Sequence, residues 1–417
     1  MTTSFRKALF GAVGLAALTA GTARADVEIE YWQYHFEQRV NAMDTLIENF
    51  EAANPGITVK MTTFPYADYR TKVAAAIPAG EGPDVVQLFY GWLNEYVDAG
   101  LIQPLPAETF PAEDIEANFY PMVSAMKMDG DYWALPTAVR SLALFYNTRI
   151  LEGAGVDVPT NLDELVAAAQ ATAERDGAGN LTSVGIAAGM NAQDHHWWRE
   201  VLVRQFGGSP YTDDYKTVTY NDEAGRAAMQ WFVDLAAPET GVTTFGFMDE
   251  PQAAFKAGRA AFMVDGSFRI GALNDTRGLK WGVTELPVGP NGEQSNYSSY
   301  WVNAITSSAE DEEYEAAVKF MDYVTSDEAM QIWLDTVGEL PAKPSAGEAA
   351  ADDPVYGPFI RGLEYAHTTI FANEAAQRSV MMDTVSRIEL EGASVADALD
   401  TAAKDEQAIL DNYYGAE

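Results

Sequence analysis

The chain has 417 residues, with 26 basic against 62 acidic side chains and a formal net charge of −36. A surface that negative repels phosphate backbones and anionic lipid, which excludes nucleic acid as a partner and docking on anionic membranes. With no Cys there are no disulfides, thiolate metal sites or cysteine nucleophiles, while 47% hydrophobic and 12% aromatic residues describe a folded chain, not a disordered one.

The N-terminus reads as a secretory leader. Arg6 and Lys7 precede an apolar stretch from Ala8 to Ala20, and Ala23-Arg24-Ala25 is a small-x-small cleavage site. Thirteen apolar residues fall short of the ~20 needed to span a bilayer. Cleavage after residue 25 is therefore expected, with the mature chain starting at Asp26 in the periplasm. That step removes three basic residues and no acid, making the remainder still more acidic. About 390 mature residues exceed what one core usually serves, so two lobes are expected.

VEIEYW (27–32) alternates as a strand. Phe36, Val40, Met43, Ile47 and Phe50 follow at helical spacing, and Asn54-Pro55-Gly56 ends that helix. ITVKMTTF (57–64) is a second strand, YADYRTKVAAAI (66–77) a helix, and DVVQLFY (84–90) a third strand of the apolar kind buried in parallel sheets. This alternation implies right-handed crossovers and a doubly wound α/β sheet. Farther on, strands are expected at 141–147, 260–264, 281–286 and 300–306, and helices at 161–175, 223–236, 250–258, 312–326 and 327–337, with a mostly helical tail from Tyr356. No long low-complexity linker occurs, so short crossovers should join the lobes.

Catalytic signatures are missing. There is no phosphate-cradling G-x-x-x-x-G-K-[ST] and no nucleophile elbow G-x-S-x-G. The four His (His35, His195, His196 and His367) include no H-E-x-x-H frame, so no metal is expected. DGAGN (176–180) reads as a Gly-rich turn, because the Glu that a calcium loop would place twelve residues on is missing. Carboxylates are abundant, but nothing singles out a hydrolytic pair. No cofactor and no catalytic residue are assigned.

In open α/β sheets, ligands sit beyond the carboxyl ends of the strands. Gln33, Tyr34 and His35 follow the first strand, Phe64, Tyr66 and Asp68 the second, and Tyr90, Gly91 and Trp92 the third. Planar aromatics against C–H faces, with fixed polar groups for hydroxyls, is the chemistry that holds a sugar.

Longer segments carry a family resemblance. EYWQYHFEQRVNAMDTLIENFEAANPGITVKM (30–61), YADYRTKVAAAIPAGEGPDVV (66–86), DGDYWALPTAVRSLALFYNTRILEGAGVDVPTNLDELVAAA (129–169), FKAGRAAFMVDGSF (255–268) and AAVKFMDYVTSDEAMQIW (316–333) stand in order along the chain. Together they resemble family 1 extracellular solute-binding proteins of bacterial ABC importers, in the branch containing maltose- and trehalose-binding proteins. The resemblance implies the type II two-lobe periplasmic-binding-protein fold, hinged to close on a sugar. It places residues 26–140 plus 292–338 in one lobe and 141–291 plus 339–417 in the other. It implies a monomer that hands a small carbohydrate to permease subunits and, through them, to an ATPase.

The expected ligand contacts are Gln33, His35, Tyr66, Trp92, Arg140, His196, Trp197, Asp265, Gly266, Ser267, Tyr300, Trp301 and Arg378. Arg140 stands where maltose-binding relatives tend to carry an acid that holds sugar hydroxyls. Trp197, in a stretch read as a polar loop before a helix, falls where the sugar family places an aromatic shelf. Asp265-Gly266-Ser267 follows a strand, where a Gly lets backbone approach a ligand. Each has a structural alternative: helix caps, core aromatics, an ion pair, an ordinary turn. Other readings stay open: a receptor for a polyamine, iron, a phosphoester or a sulfonated sugar, or a secreted glycoside-active enzyme.

Overall fold

A computed structural model describes residues 27–190, 193–237 and 241–415. The expected leader, residues 1–25, and the Asp26 start lie outside the described residues. The opening follows the apolar pattern. Strand β1 (Val27–Tyr34) pairs in parallel with β2 (Ile57–Phe64) and β3 (Val85–Phe89). Helix α1 (Glu37–Ala53) turns Met43, Leu46, Ile47 and Phe50 inward and ends at Asn54, where the chain reverses through Gly56 at φ +99°. Helix α2 (Tyr66–Ala76) returns the chain to β3.

The molecule then turns on one long strand, β4 (Leu135–Asn147), joined by β5 (Leu181–Ala187), β6 (Ala260–Gly266), β7 (Trp281–Thr284) and β8 (Asn296–Ile305). The main sheet runs β2-β1-β3-β8-β4-β6-β5. Up to Ser141, β4 pairs antiparallel with β8; from Leu142 it pairs with β6, and its last residues also pair with β7. Leu340-Pro341 pairs with Val139 and Ala138 of the same strand. The strand expected at 141–147 is thus only its second half; Pro136 and Arg140 hid the first.

Alternation along β4 feeds two cores. Ala143 and Phe145 point into a cluster with Met263 and Phe359, continuous with the one around β1, while Leu142 and Leu144 point into another with Trp197, Phe232 and Phe262. Helices α3 (Leu162–Thr172), α4 (Glu223–Asp234), α5 (Asp311–Val324), α6 (Asp327–Val337), α7 (Glu374–Glu391) and α8 (Val395–Tyr414) cover these faces. Helix α3 stops short of the expected residue 175, since Glu174-Arg175 pairs with β5 instead.

The stretch around His195 is the largest departure from expectation. Asp194–Gln205 is helical, with a π-helical centre at Trp197–Leu202, and almost wholly buried. Its charges read as loop but are neutralised inside. Arg199 reaches Glu406 of α8 (3.1 Å), and Glu200 accepts from Thr369 (2.6 Å). In DGAGN the Asp176 carboxylate accepts from the Ala178 and Asn180 amides, closing a turn on itself as expected.

Candidate functional site

The strand ends converge on a cavity of about 230 Å³. Tyr34 closes β1, Tyr66 opens α2, Phe89 ends β3, and Trp92 lies in the turn just after it; all four line the space. From β8 the alternate residues Tyr297, Ser299 and Trp301 face the same way. Trp301 is the centre of the aromatic wall, 4.4 Å from the Tyr34 ring and 5.4 Å from Trp92 in an edge-to-face contact. The facing side comes from beyond the β4 switch: Gln193, His196, Phe268, and Glu374 and Arg378 one turn apart on α7.

Arg140 sits on β4 at the switch, lining the cavity with its guanidinium 4.9 Å above the Phe268 ring. Behind it stands Glu339, 4% exposed, which accepts from Arg140 Nε (2.7 Å), Arg39 Nη2 (2.5 Å) and Trp333 Nε1 (3.0 Å). Burial alone would raise the Glu339 pKa, but the Arg140 and Arg39 guanidinia outweigh it and hold the carboxyl at about 2. Arg378 Nη2 donates to Glu374 at 2.5 Å, while its Nε is buried without a partner. His196 stacks on Tyr297 at 3.9 Å, and Tyr297 shares a hydrogen bond with Tyr90 (2.8 Å). Burial, then the neighbouring His195, Arg199 and Arg378, push the His196 pKa well below the ordinary histidine value, so the ring is neutral near pH 7. Its Nδ1 is buried with no partner.

Six of the expected contacts meet here: Tyr66, Trp92, Arg140, His196, Trp301 and Arg378. The structure places the others elsewhere. Gln33 is inside β1, fully buried, and bonds Met61 Sδ and the Tyr31 hydroxyl. His35 is exposed beside Thr63. Trp197 is in the helix and packs edge-to-face on Trp231 and Phe232 within the second core, so the expected shelf is not in the cavity. Tyr300 lies on the opposite face of β8 from Trp301 and donates to the Met122 carbonyl. Asp265 is tied to Arg269 (2.6 Å), and a Cβ on Gly266 would lie 2.2 Å from the Phe268 ring, so that glycine makes room for a side chain. Ser267 is buried, its hydroxyl unpartnered. The expected contacts did not include Tyr34, Phe89, Gln193, Phe268, Tyr297, Ser299 or Glu374. The period of β8 could have found Ser299, and the i, i+4 spacing to Arg378 could have found Glu374.

A larger space of about 560 Å³, lined by Met122, Tyr215, Tyr365 and the acids Asp213, Asp214 and Glu364, lies away from these strand ends. Its described lining has neither a guanidinium nor a Trp face, and the smaller cavity is the better candidate.

A sequence profile of the family described as bacterial extracellular solute-binding protein matches residues 45–356, three quarters of the chain. The chain belongs to this family. Relatives of this solute-binding protein include the maltotriose-binding protein of Pyrococcus abyssi, 26% identical over 352 residues, which cover 82% of this chain and 72% of the relative. The galactooligosaccharide-binding protein of Bacillus subtilis is 23% identical over 338 residues (78% and 74%). Among solved structures, the sugar-binding protein MalE of Xanthomonas citri superposes with a TM-score of 0.80 at 20% identity, over 94% of this chain and 99% of that one. The GacH receptor of Streptomyces glaucescens gives 0.77 at 24%, over 94% and 100%. The fold of this solute-binding protein is the two-lobe α/β architecture of these sugar receptors. The family is one of binding proteins that work outside the cytoplasm, and no described helix is long and apolar enough to cross a membrane.

Proposed function

We propose that this protein captures a small carbohydrate in the cavity between β4, β8 and α7 and delivers it to the permease of an ABC importer. The observation that carries the reading is the wall of Trp301, Trp92 and Tyr34 facing the Arg140 and Arg378 guanidinia. Aromatic rings take the C–H faces of a pyranose, and guanidinia donate in a plane to adjacent oxygens. Relatives named for maltotriose and galactooligosaccharide binding support the substrate class. Two guanidinia in the lining count against a polyamine. The lining carboxylate Glu374 is already held by Arg378, which supports binding without hydrolysis, since glycoside cleavage uses two carboxyl groups.

The partner switch of β4 between Ser141 and Leu142 supports the boundary near residue 140 in a division into residues 26–140 plus 292–338 and 141–291 plus 339–417, while Leu340-Pro341 still pairs on the first-lobe side with Ala138-Val139. The first lobe supplies Tyr34, Tyr66, Trp92 and Trp301, and the second supplies His196, Phe268 and Arg378. Sugar held by one lobe gains the second set of contacts only when the hinge closes, and that difference drives closure. The closed monomer would then be the form the permease reads, its ATPase acting from the cytoplasm. Export with removal of residues 1–25 completes the reading.

Titration calorimetry with mono-, di- and trisaccharides, followed by chromatography of the recovered ligand, tests it. Saturable binding with the sugar returned intact is expected. No binding by any sugar, or turnover, overturns it.

A further inference from the structure

The cavity holds more positive charge than its own residues neutralise. Arg39 and Arg140 share the single carboxylate of Glu339, whose second oxygen is taken by Trp333. Glu339 is fully ionised near pH 7, so two positive charges face one negative. Arg39 is 1% exposed and sealed behind the Trp301 ring, 5.7 Å away, whereas the Arg140 side chain is 20% exposed and lines the cavity. Arg39 is ringed by Tyr34, Trp301 and Trp333, so Arg140 is the member of the pair that a charge in the cavity can reach. On the other side, Glu374 balances Arg378 through Nη2 alone and leaves Arg378 Nε buried without a partner. His196, 4% exposed in the same wall, also has an unpartnered ring nitrogen.

We propose that the sugar bound here carries one acidic substituent, a carboxylate, sulfonate, sulfate or phosphate, set between Arg140 and Arg378. The inference rests on the carbohydrate reading of the cavity and narrows it. Sugar hydroxyls can accept from the guanidinia and donate to a carboxylate, but they bring no charge to offset the surplus. Closing the lobes over a neutral sugar would strand the surplus guanidinium charge away from water, where an uncompensated charge is costly. An oxyanion removes that cost and gains charge-assisted hydrogen bonds, the stronger kind. In a chain of net charge −36, a positive cavity opposes the field of the whole surface and is selective for that reason.

Matched pairs give the test: titration calorimetry of the full mature protein with D-glucuronate, glucose 6-sulfate, glucose 6-phosphate and 6-deoxy-6-sulfoglucose, each against D-glucose, and with maltose and maltotriose as neutral oligosaccharides. At least one acidic probe should bind about tenfold or more tightly than its neutral parent. Arg378→Gln should abolish that preference, and Arg378→Lys should restore part of it, with unchanged far-UV circular dichroism in both. Equal or tighter binding of glucose, maltose or maltotriose overturns the acidic substituent and leaves the carbohydrate reading standing. Silence from every probe overturns both. A preference that survives in Arg378→Gln with the fold intact overturns the anchoring at Arg378.

Discussion

Replacing Glu339 by Gln keeps the shape of the side chain and removes the charge that Arg39 and Arg140 share. Breaking a buried ion pair by deleting one partner costs about 3–5 kcal/mol, because the remaining charge is left uncompensated. A separate route gives a similar size. The Glu339 carboxyl is held from its ordinary 4.5 down to about 2 by the two guanidinia, against the upward push of burial. At 1.36 kcal/mol per unit, that shift is worth roughly 3 kcal/mol of stability. The folded value lies below the unfolded one, so the contribution is complete above about pH 4.5 and fades as the pH falls toward 2. Urea unfolding followed by tryptophan fluorescence, for parent and Glu339→Gln at pH 7, 5 and 3, measures it. The gap should be about 3–5 kcal/mol at pH 7 and 5, and smaller by about 2 kcal/mol at pH 3. A gap under about 1 kcal/mol at pH 7, or one that does not narrow on acidification, refutes the reasoning.

Trp301→Ala, and more mildly Trp92→Ala, should weaken sugar binding by about tenfold or more and diminish the ligand-induced change in fluorescence; calorimetry showing parental affinity in both would remove the aromatic wall from the site. Trp197→Phe should lower unfolding free energy by about 1–3 kcal/mol yet keep affinity within about twofold, since Trp197 packs on Trp231 and Phe232 and not in the cavity; a large affinity loss with unchanged stability would contradict that placement. Small-angle scattering should show a smaller radius of gyration at saturating sugar, and an unchanged profile would argue against hinge closure. Intact-mass analysis of exported protein should find a chain beginning at Asp26; retention of Met1 would remove the leader.

Residues 27–90 could be read closely because each element there obeys a single period: β1 and β2 alternate or run apolar, and α1 buries Met43, Ile47 and Phe50 at helical spacing. Legibility failed where side chains broke their usual habit. Arg199 and Glu200 disguised a buried helix as a loop, because partners that supply their opposite charge and hydrogen bonds arrive from Glu406 and Thr369, about two hundred residues away. Tyr300 and Trp301 are neighbours with equal aromatic claims, and only the strand's register decides that Trp301 faces the cavity. Gln33 was read as lying after β1 but belongs inside it, where Met61 satisfies it. Arg140 was legible as a cleft residue, while its bond to Glu339 depends on a segment that returns only after α6.

The path of β4 through the middle of the sheet also constrains the order of assembly. Strand β3 finds its outer neighbour only when Trp301–Ile305 of β8 arrives, and the flank of β4 at Ala138-Val139 waits for Leu340-Pro341. A chain emerging from its N-terminus must therefore carry open sheet edges until nearly all of it has been made. Such non-local pairing folds slowly, and exposed edges invite association with other chains. A fragment ending at Thr284 would retain β1 to β7 yet lack the strand that joins the halves, and we expect it to aggregate instead of yielding one working lobe.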